Sequence, residues 1–352
     1  MAGVRIVVND IAASKNSGGA FSVLSDFFSD IHLNGDDHEW IFLLDEKHFS
    51  ETENIKIKVF PEIKKSWVKR LWFDLFSGKK LINNFDPDLY LSLQNTATLG
   101  VKCKQYVYLH QPLPYQKEKD FSFFKTKEIK FACYQKIIGR IFNYLFKKSD
   151  ADIIVQTKWM KDSIKEKLKN KVHLCRPYVE NNYLYNIKEQ FNSNTFFFPA
   201  SNFLYKNHEV IFKALKYINN KDIKIFLTIE EKDIPNIYKD SRIVCLGNIS
   251  REKVFSFYKT GTLIFPSYIE SFGLPLIEAR QVGAPIVAAD TSFAREILND
   301  YRNSIFFNKD DAKKLADFMI NISTNKIFFN KQDTNFITKE DIISLSDIIL
   351  QR

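Results

Sequence analysis

Cysteine is scarce in this 352-residue chain: Cys103, Cys133, Cys175 and Cys245 lie far apart, with no C-x-x-C pair among them. That spacing excludes a disulfide framework and a thiolate metal site, so the four read as single reduced thiols. Long apolar runs are also missing. No window of about 18 uninterrupted apolar residues occurs, so no membrane-spanning helix is expected. The opening residues, MAGVRIVVND, lack the charged-then-apolar layout of a signal peptide and read as a strand, which predicts a cytoplasmic protein. No nucleic-acid-binding motif is found. At 45% hydrophobic residues, the chain is long enough for two α/β domains of ordinary size.

What is present is organised around Thr262 to Asp290, TLIFPSYIESFGLPLIEARQVGAPIVAAD. Thr262 to Tyr268 is β-branched and aromatic-rich, the composition of a strand. The polar, glycine-containing SFG then opens into an apolar run. A helix is therefore expected to about Val282, stopping at Gly283, with Ser271 as its N-cap and Pro275 in its first turn. The amides of Phe272, Gly273 and Leu274 at such a helix start, backed by the macrodipole, form a phosphate site. Glu278, one to two turns on, would repel a phosphate and suits a neutral diol such as a ribose. Glu270, ahead of the helix, is placed to accept hydrogen bonds from hydroxyls attached to the phosphate. Taken alone, two glutamates at this spacing read as solvated charges flanking a buried βα unit. The filling SFGLPLI and the following EA and GAPIVA set them apart.

This whole string resembles the signature of the retaining family 4 glycosyltransferases. The resemblance implies an α/β protein of the GT-B fold, with two facing Rossmann-like domains and an interdomain active-site cleft. Residues 1–185 would form the acceptor-binding domain, with the C-terminal helix 338–352 a candidate to complete it. Residues 186–337 would form the nucleotide-sugar donor domain. The resemblance further implies retention of anomeric configuration with no cofactor and no required metal. The one D-x-D match, Asp86 with Asp88, precedes its strand rather than ending one.

Along the chain, Val4 to Asn9 reads as a buried strand, and Gly18 with Gly19 precedes a helix carrying Phe21, Leu24 and Phe28. Two glycines mark a tight turn or a close ligand approach, and the resemblance makes this a loop that faces donor or acceptor. Further strands are expected at Glu39 to Leu44, Ile55 to Phe60, Asp88 to Leu93 and Gln105 to Leu109. The last ends in His110. A histidine at the carboxyl end of a parallel strand points into the crevice where open α/β sheets bind ligands, although such residues are commonly structural. The resemblance assigns His110 to the donor sugar. Ala151 to Gln156 reads as the last strand of the first domain. Periodicity is lost beyond Val172, which places the hinge at residues 177–194.

The second domain is expected to open with Thr195 to Ala200. Here the resemblance implies a basic residue, a gap and a lysine, both facing the diphosphate. Lys206 supplies the lysine, and Ser201 and Asn202 stand near the place of the arginine. Strands at Asp222 to Thr228, Arg242 to Asn248 and Thr262 to Tyr268 alternate with helices at Glu231 to Lys239 and Ser250 to Lys259, the βαβ pattern. Leu246 to Ile249 are expected to end a strand beside the E-x7-E strand, where the resemblance implies that Asn248 and Ile249 meet the nucleotide base. Pro285 to Asp290, Ser304 to Phe307 and a helix from Asp310 to about Ile322 follow. The tail, FITKEDIISLSDIILQR, has helical spacing and is expected to pack on the first domain.

Charge is concentrated in the first half. Lys64 to Lys80 holds six basic residues against Asp74, a net of +5, and Lys117 to Lys148 holds nine against three, a net of +6. Lys64, Lys65, Trp67, Lys69, Arg70 and Trp72 in the first stretch have the mixture an interfacial membrane contact needs. The same mixture suits nucleic acid, or a solvated helix face over a buried aromatic stripe. The expected protein is a transferase on the inner face of the cell membrane. Its donor is a GDP-, UDP- or dTDP-sugar. Its acceptor is a polyprenyl-diphosphate-linked glycan, as in O-antigen or capsule synthesis, and no nucleic acid takes part. The alternatives are a GT-B sugar-nucleotide epimerase and a non-catalytic sugar-nucleotide-binding protein.

Overall fold

The computed structural model describes residues 3–14, 19–34, 37–177, 191–327, 329 and 343–351. They divide into two units, Met1–Pro177 with Glu340–Arg352, and Tyr178–Lys339. The expected hinge, the boundary at 185 and Gly18 lie wholly or largely outside the described residues.

The first unit is a seven-stranded sheet built from β1 (Arg5–Asn9), β2 (Glu39–Leu44), β3 (Ile55–Val59), β4 (Leu89–Ser92), β5 (Lys104–Tyr108), β6 (Asp152–Val155) and β7 (Val172–Leu174). All its pairings are parallel, in the order β3-β2-β1-β4-β5-β6-β7. Parallel strands are covered on both faces, which is why RIVVN and EWIFLL read as nearly continuous apolar runs. β7 was not expected; three residues are too short to display a period of two.

The second unit is a six-stranded parallel sheet of β8 (Thr195–Phe198), β9 (Lys224–Leu227), β10 (Ile243–Cys245), β11 (Thr262–Phe265), β12 (Ile286–Ala289) and β13 (Ser304–Phe307). Its order is β10-β9-β8-β11-β12-β13. β10 is thus an edge strand that pairs with β9, and it does not lie beside β11 as expected. The chain crosses back over β8 before β11 forms. The helix expected at Glu231 to Lys239 is two 3-10 turns, Glu231–Asp233 and Asn236–Tyr238. Pro235 has no N–H to donate and pushes Ile234 into an extended conformation.

Strand order reverses between β1 and β4 in one unit and between β8 and β11 in the other. Ligands of open α/β sheets bind at such reversals, beyond the carboxyl ends of the strands. The helix Gly19–Asn34 packs Leu24, Phe27, Phe28 and Ile31 on the first sheet, together with Leu345, Ile348 and Ile349 of the helix Leu345–Leu350. Ser346 Oγ donates to Asp30 2.8 Å away. The four cysteines are free. No helix among the described residues is long and apolar enough to cross a membrane.

Candidate functional site

In the second unit, the chain leaves β8, makes a 3-10 turn at Leu204–Lys206 and enters the helix His208–Leu215. Asn207 joins the two in a left-handed conformation, φ 59°. Its side-chain amide donates to the carbonyl of Lys309, 2.8 Å away, and at 3.4 Å to that of Pro266. The Tyr268 amide donates to the Tyr205 carbonyl at 3.0 Å. These bonds tie the loop after β8 to the loop after β11. As a result Lys206 Nζ lies 2.5 Å from Glu270 Oε1, across 64 residues of sequence, with both side chains mostly buried.

Beyond Glu270 the helix Leu274–Gln281 begins with Gly273 as N-cap, at φ 87°, where a side chain would be strained. Gly273, not Ser271, therefore caps the helix: the left-handed turn that ends the loop is one only glycine makes readily. In the first turn Pro275 has no N–H and the Leu276 amide donates to the Gly273 carbonyl at 2.9 Å, so the Leu274 amide is the one for which helix geometry supplies no acceptor. Phe272 and Glu278 are buried. Glu278 Oε1 is 2.8 Å from the guanidinium of Arg251, and Oε2 accepts from the buried Tyr258 hydroxyl at 3.1 Å. Burial raises the Glu278 pKa, and Arg251 and Tyr258 oppose the shift. Arg251 opens the helix Arg251–Thr260, just past Asn248, which is exposed, and Ile249, which is half-buried. The structure thus brings Lys206, Glu270 and the helix start into one turn. It reaches Glu278 from the β10 side through Arg251, which the sequence had not singled out.

In the first unit His110 follows β5. Its backbone N–H donates to Asn95 Oδ1 at 2.8 Å, and Asn95 Nδ2 lies 3.0 Å from its Nε2. The amide orientation makes Nε2 the acceptor and leaves the ring proton on Nδ1, which is buried without a protein partner. Burial lowers the His110 pKa to about 4, so the ring is neutral near pH 7. It lines a cavity of about 190 Å³ at the β1/β4 reversal, together with Asp10, Gln94 and Thr96. Strand-end position, which singled out His110, would have singled out Asp10 after β1 and Gln94 after β4 by the same rule. Gly19 begins the helix Gly19–Asn34.

The basic stretch splits into two faces. Lys64 reaches Asp45 and the Ala13 carbonyl, Trp67 packs against the core, and Trp67 and Arg70 line the cavity. These three are not free for an outer surface. Lys65 and Lys69 pair with Glu62 at 2.6 and 3.8 Å. Val68, Trp72 and Phe76 stand 68, 60 and 53% exposed. Among the described residues, the groups of metal-ligating type that meet are Asp45, Glu46 and His48, and there the Lys64 ammonium already occupies Asp45.

Residues 186–339 match the family model described as Glycosyl transferases group 1. An uncharacterized glycosyltransferase of Methanocaldococcus jannaschii is 29% identical over 196 residues, 53% of each protein. The chain thus spans about half the length of that relative. The crystal structure of Anabaena HepE in complex with UDP and glucose superposes with a TM-score of 0.63 at 14% identity, over 94% of this chain and 91% of that one. WaaG, described as a glycosyltransferase involved in lipopolysaccharide biosynthesis, superposes with a TM-score of 0.65 at 13% identity, over 91% of this chain and 92% of that one. Residues 186–339 are therefore similar to a glycosyl transferases group 1 domain, and the chain's two parallel-sheet, Rossmann-like α/β domains have the fold of the GT-B structures on which it superposes.

Proposed function

We propose that this chain is a retaining glycosyltransferase that moves a sugar from a nucleotide-diphosphate donor to a lipid-linked glycan of a bacterial surface polysaccharide. The observation that carries the reading is the Lys206–Glu270 ion pair at the β8/β11 reversal, beside a glycine-capped helix start, with Glu278 buried one turn further on. A diphosphate is met there by the Lys206 ammonium and by amides aimed at the helix terminus. Those donors stabilise the charge that develops as the sugar departs. Glu278 accepts from a ribose diol, and Glu270, released from Lys206, accepts from the donor sugar. Asn248 and Ile249 flank the base. His110 contacts the donor sugar as a neutral ring. The acceptor hydroxyl attacks on the face the diphosphate leaves, and its proton passes to the departing phosphate. Charge neutralisation rests on Lys206 and the amides, with no metal.

A membrane-borne acceptor is supported by the exposed apolar residues of the basic stretches. Val68, Trp72 and Phe76 stand among Lys65, Lys69, Lys79 and Lys80, and Phe124 is fully exposed between Phe123 and Lys125. Such surfaces suit the headgroup layer of an anionic leaflet. The reading is tested by offering GDP-, UDP- and dTDP-sugars with a short polyprenyl-diphosphate glycan and resolving the product anomer by NMR. Transfer with retention is expected. Binding of no nucleotide sugar, or an inverted product, would overturn it. An epimerised donor without transfer would favour the epimerase.

A further inference from the structure

On the glycosyltransferase reading, the donor crevice of the second unit has a direction. Lys206 and the start of the helix Leu274–Gln281 mark the diphosphate, and Glu278, further along that helix, marks the ribose. A nucleotide carries its phosphates on C5′ and its base on C1′, at opposite sides of the ribose ring. The base therefore lies on the far side of Glu278 from the diphosphate. That side is marked by Arg251, which holds Glu278 and opens the helix that follows β10. The base then rests over the carboxyl ends of β9 and β10, which pair at the edge of the sheet.

Glu230 stands at that edge, in the loop that leaves β9. Its side chain accepts from the Asp233 amide, and its own amide donates to Asp233 Oδ2 at 3.1 Å, a reciprocal cap that fixes the carboxylate. The loop that leaves β10 is shaped around it. The Gly247 amide donates to the Ile229 carbonyl at 3.3 Å, and Gly247 takes φ 60°. A Cβ there would lie 2.9 Å from Glu230 Oε1, so the glycine lets the carboxylate rest against the chain one residue before Asn248. Burial raises the Cys245 pKa, and Glu231, Asp233 and Glu230 raise it further, which puts these carboxylates around the end of β10. Glu270 and Glu278 are each held by a cation. Glu230 is exposed, and among the described residues no cation pairs with it. One oxygen engaged by the cap leaves lone pairs on both, since a carboxylate accepts at about four sites. The bases differ in what they offer such a group. Guanine presents N1–H and the N2 amino group side by side, two donors that match one carboxylate. Uracil and thymine present a single N3–H between two carbonyl oxygens, whose lone pairs a carboxylate repels. Adenine sets an acceptor beside its amino group.

We propose that Glu230 reads the base of the donor, its carboxylate accepting from N1–H and the N2 amino group of a guanine, so that the sugar is delivered from GDP. A site built around a hydrogen-bonding partner rejects analogues that lack it far more strongly than an apolar pocket does, and hydrogen bonds to a charged group are the strong ones. The test is calorimetry on the full chain with GDP, UDP, dTDP and inosine diphosphate, which keeps the guanine N1–H but lacks the N2 amino group. The wild type is expected to bind GDP about 100-fold more tightly than UDP or dTDP, with inosine diphosphate weaker than GDP by about tenfold, the scale of one hydrogen bond to a charged acceptor. Glu230→Gln keeps an oxygen for the Asp233 amide, so its melting temperature should hold. It replaces one acceptor by a donor, so GDP should lose about tenfold or more while UDP and dTDP bind as they do to the wild type. A glutamate with only a capping role would leave the order of the four nucleotides unchanged in Glu230→Gln, and that result would overturn the assignment. So would equal losses for every nucleotide. UDP or dTDP bound by the wild type as tightly as GDP would overturn it whatever the variant does, and would leave the glycosyltransferase reading standing. Failure of all four to bind would remove that reading and the inference together.

Discussion

The crevice between β1 and β4 and the one between β8 and β11 arise from the same reversal of strand order, yet their polar groups are handled differently. At the β8/β11 reversal the charges satisfy one another: Lys206 holds Glu270, and Arg251 with Tyr258 holds Glu278. At the β1/β4 reversal Gln94, Arg70 and His110 keep buried groups without protein partners. Matching the first site to a charged ligand means exchanging one ion pair for another. A neutral ligand at the second exchanges no charge. One winding thus supplies two positions, and the side chains decide which is electrostatic.

The largest effect is expected at the paired site. Lys206→Ala should lower transfer by about 100-fold or more, the usual scale for losing one group that stabilises developing charge. It also leaves Glu270 mostly buried and alone, so the melting temperature should fall. Unchanged single-turnover rates at saturating donor would break the assignment. Glu270→Ala should mainly lower turnover, and Glu278→Ala mainly nucleotide affinity. Nucleotide binding and transfer like wild type in both would remove the two glutamates from the site.

Arg251 sharpens the comparison next. Because burial raises the Glu278 pKa and Arg251 opposes it, Arg251→Met should let Glu278 take up a proton at a higher pH than in the wild type. The protonated acid accepts ribose hydroxyls poorly. Nucleotide affinity of the variant should therefore begin to fall at a higher pH than that of the wild type as the pH is lowered. Parallel pH profiles in calorimetry would show that Arg251 does not tune Glu278.

Asp74 provides the corresponding titration at the other site. Its folded pKa is raised from 3.8 to about 7 by burial. The stability linked to its proton is complete below about pH 4 and is lost as pH rises through 7. Asp74→Asn cannot lose that proton, so its melting temperature relative to wild type should improve between pH 5 and pH 8. A constant difference across that range would mean that Asp74 titrates as an ordinary carboxylate.

The smallest effect belongs to the outer face. Lys65→Gln, Lys69→Gln, Trp72→Ser and Phe76→Ser together should reduce sedimentation with anionic vesicles. Wild-type vesicle binding should itself fall as salt rises, narrowing the gap to the variant, because surface charges are screened within roughly 8 Å at physiological ionic strength. Transfer to a short soluble acceptor should persist. Vesicle binding that ignores both salt and these substitutions would remove the membrane from the account. Lys64 and Arg70 are left out because they face the interior.

The stretch around Glu270 and Glu278 was legible because a strand, a glycine turn and a helix follow one another within 29 residues, so each local preference points to the same unit. Ser304–Phe307 and Glu39–Leu44 were readable for the same reason, and Ser250 caps the helix Arg251–Thr260 through the Lys253 amide. Gly273 was misread in detail, since a left-handed cap and an interior glycine look alike in composition. Gln94 went unnoticed because nothing local marks an amide that finds no partner.

Local periodicity and turn chemistry, which act over a few residues, by themselves determined two parallel α/β units and the strand, turn and helix that carry Glu270 and Glu278. Only the tertiary structure decided that β10 lies at a sheet edge, because strand order follows crossovers rather than sequence order. Only the tertiary structure turned Lys64, Trp67 and Arg70 inward while Val68 and Trp72 stayed out, because Lys64 meets Asp45 and the Ala13 carbonyl while Trp67 and Arg70 meet the cavity wall. It alone set Lys206 on Glu270, since an ion pair across 64 residues depends on two loops meeting at one reversal of the sheet.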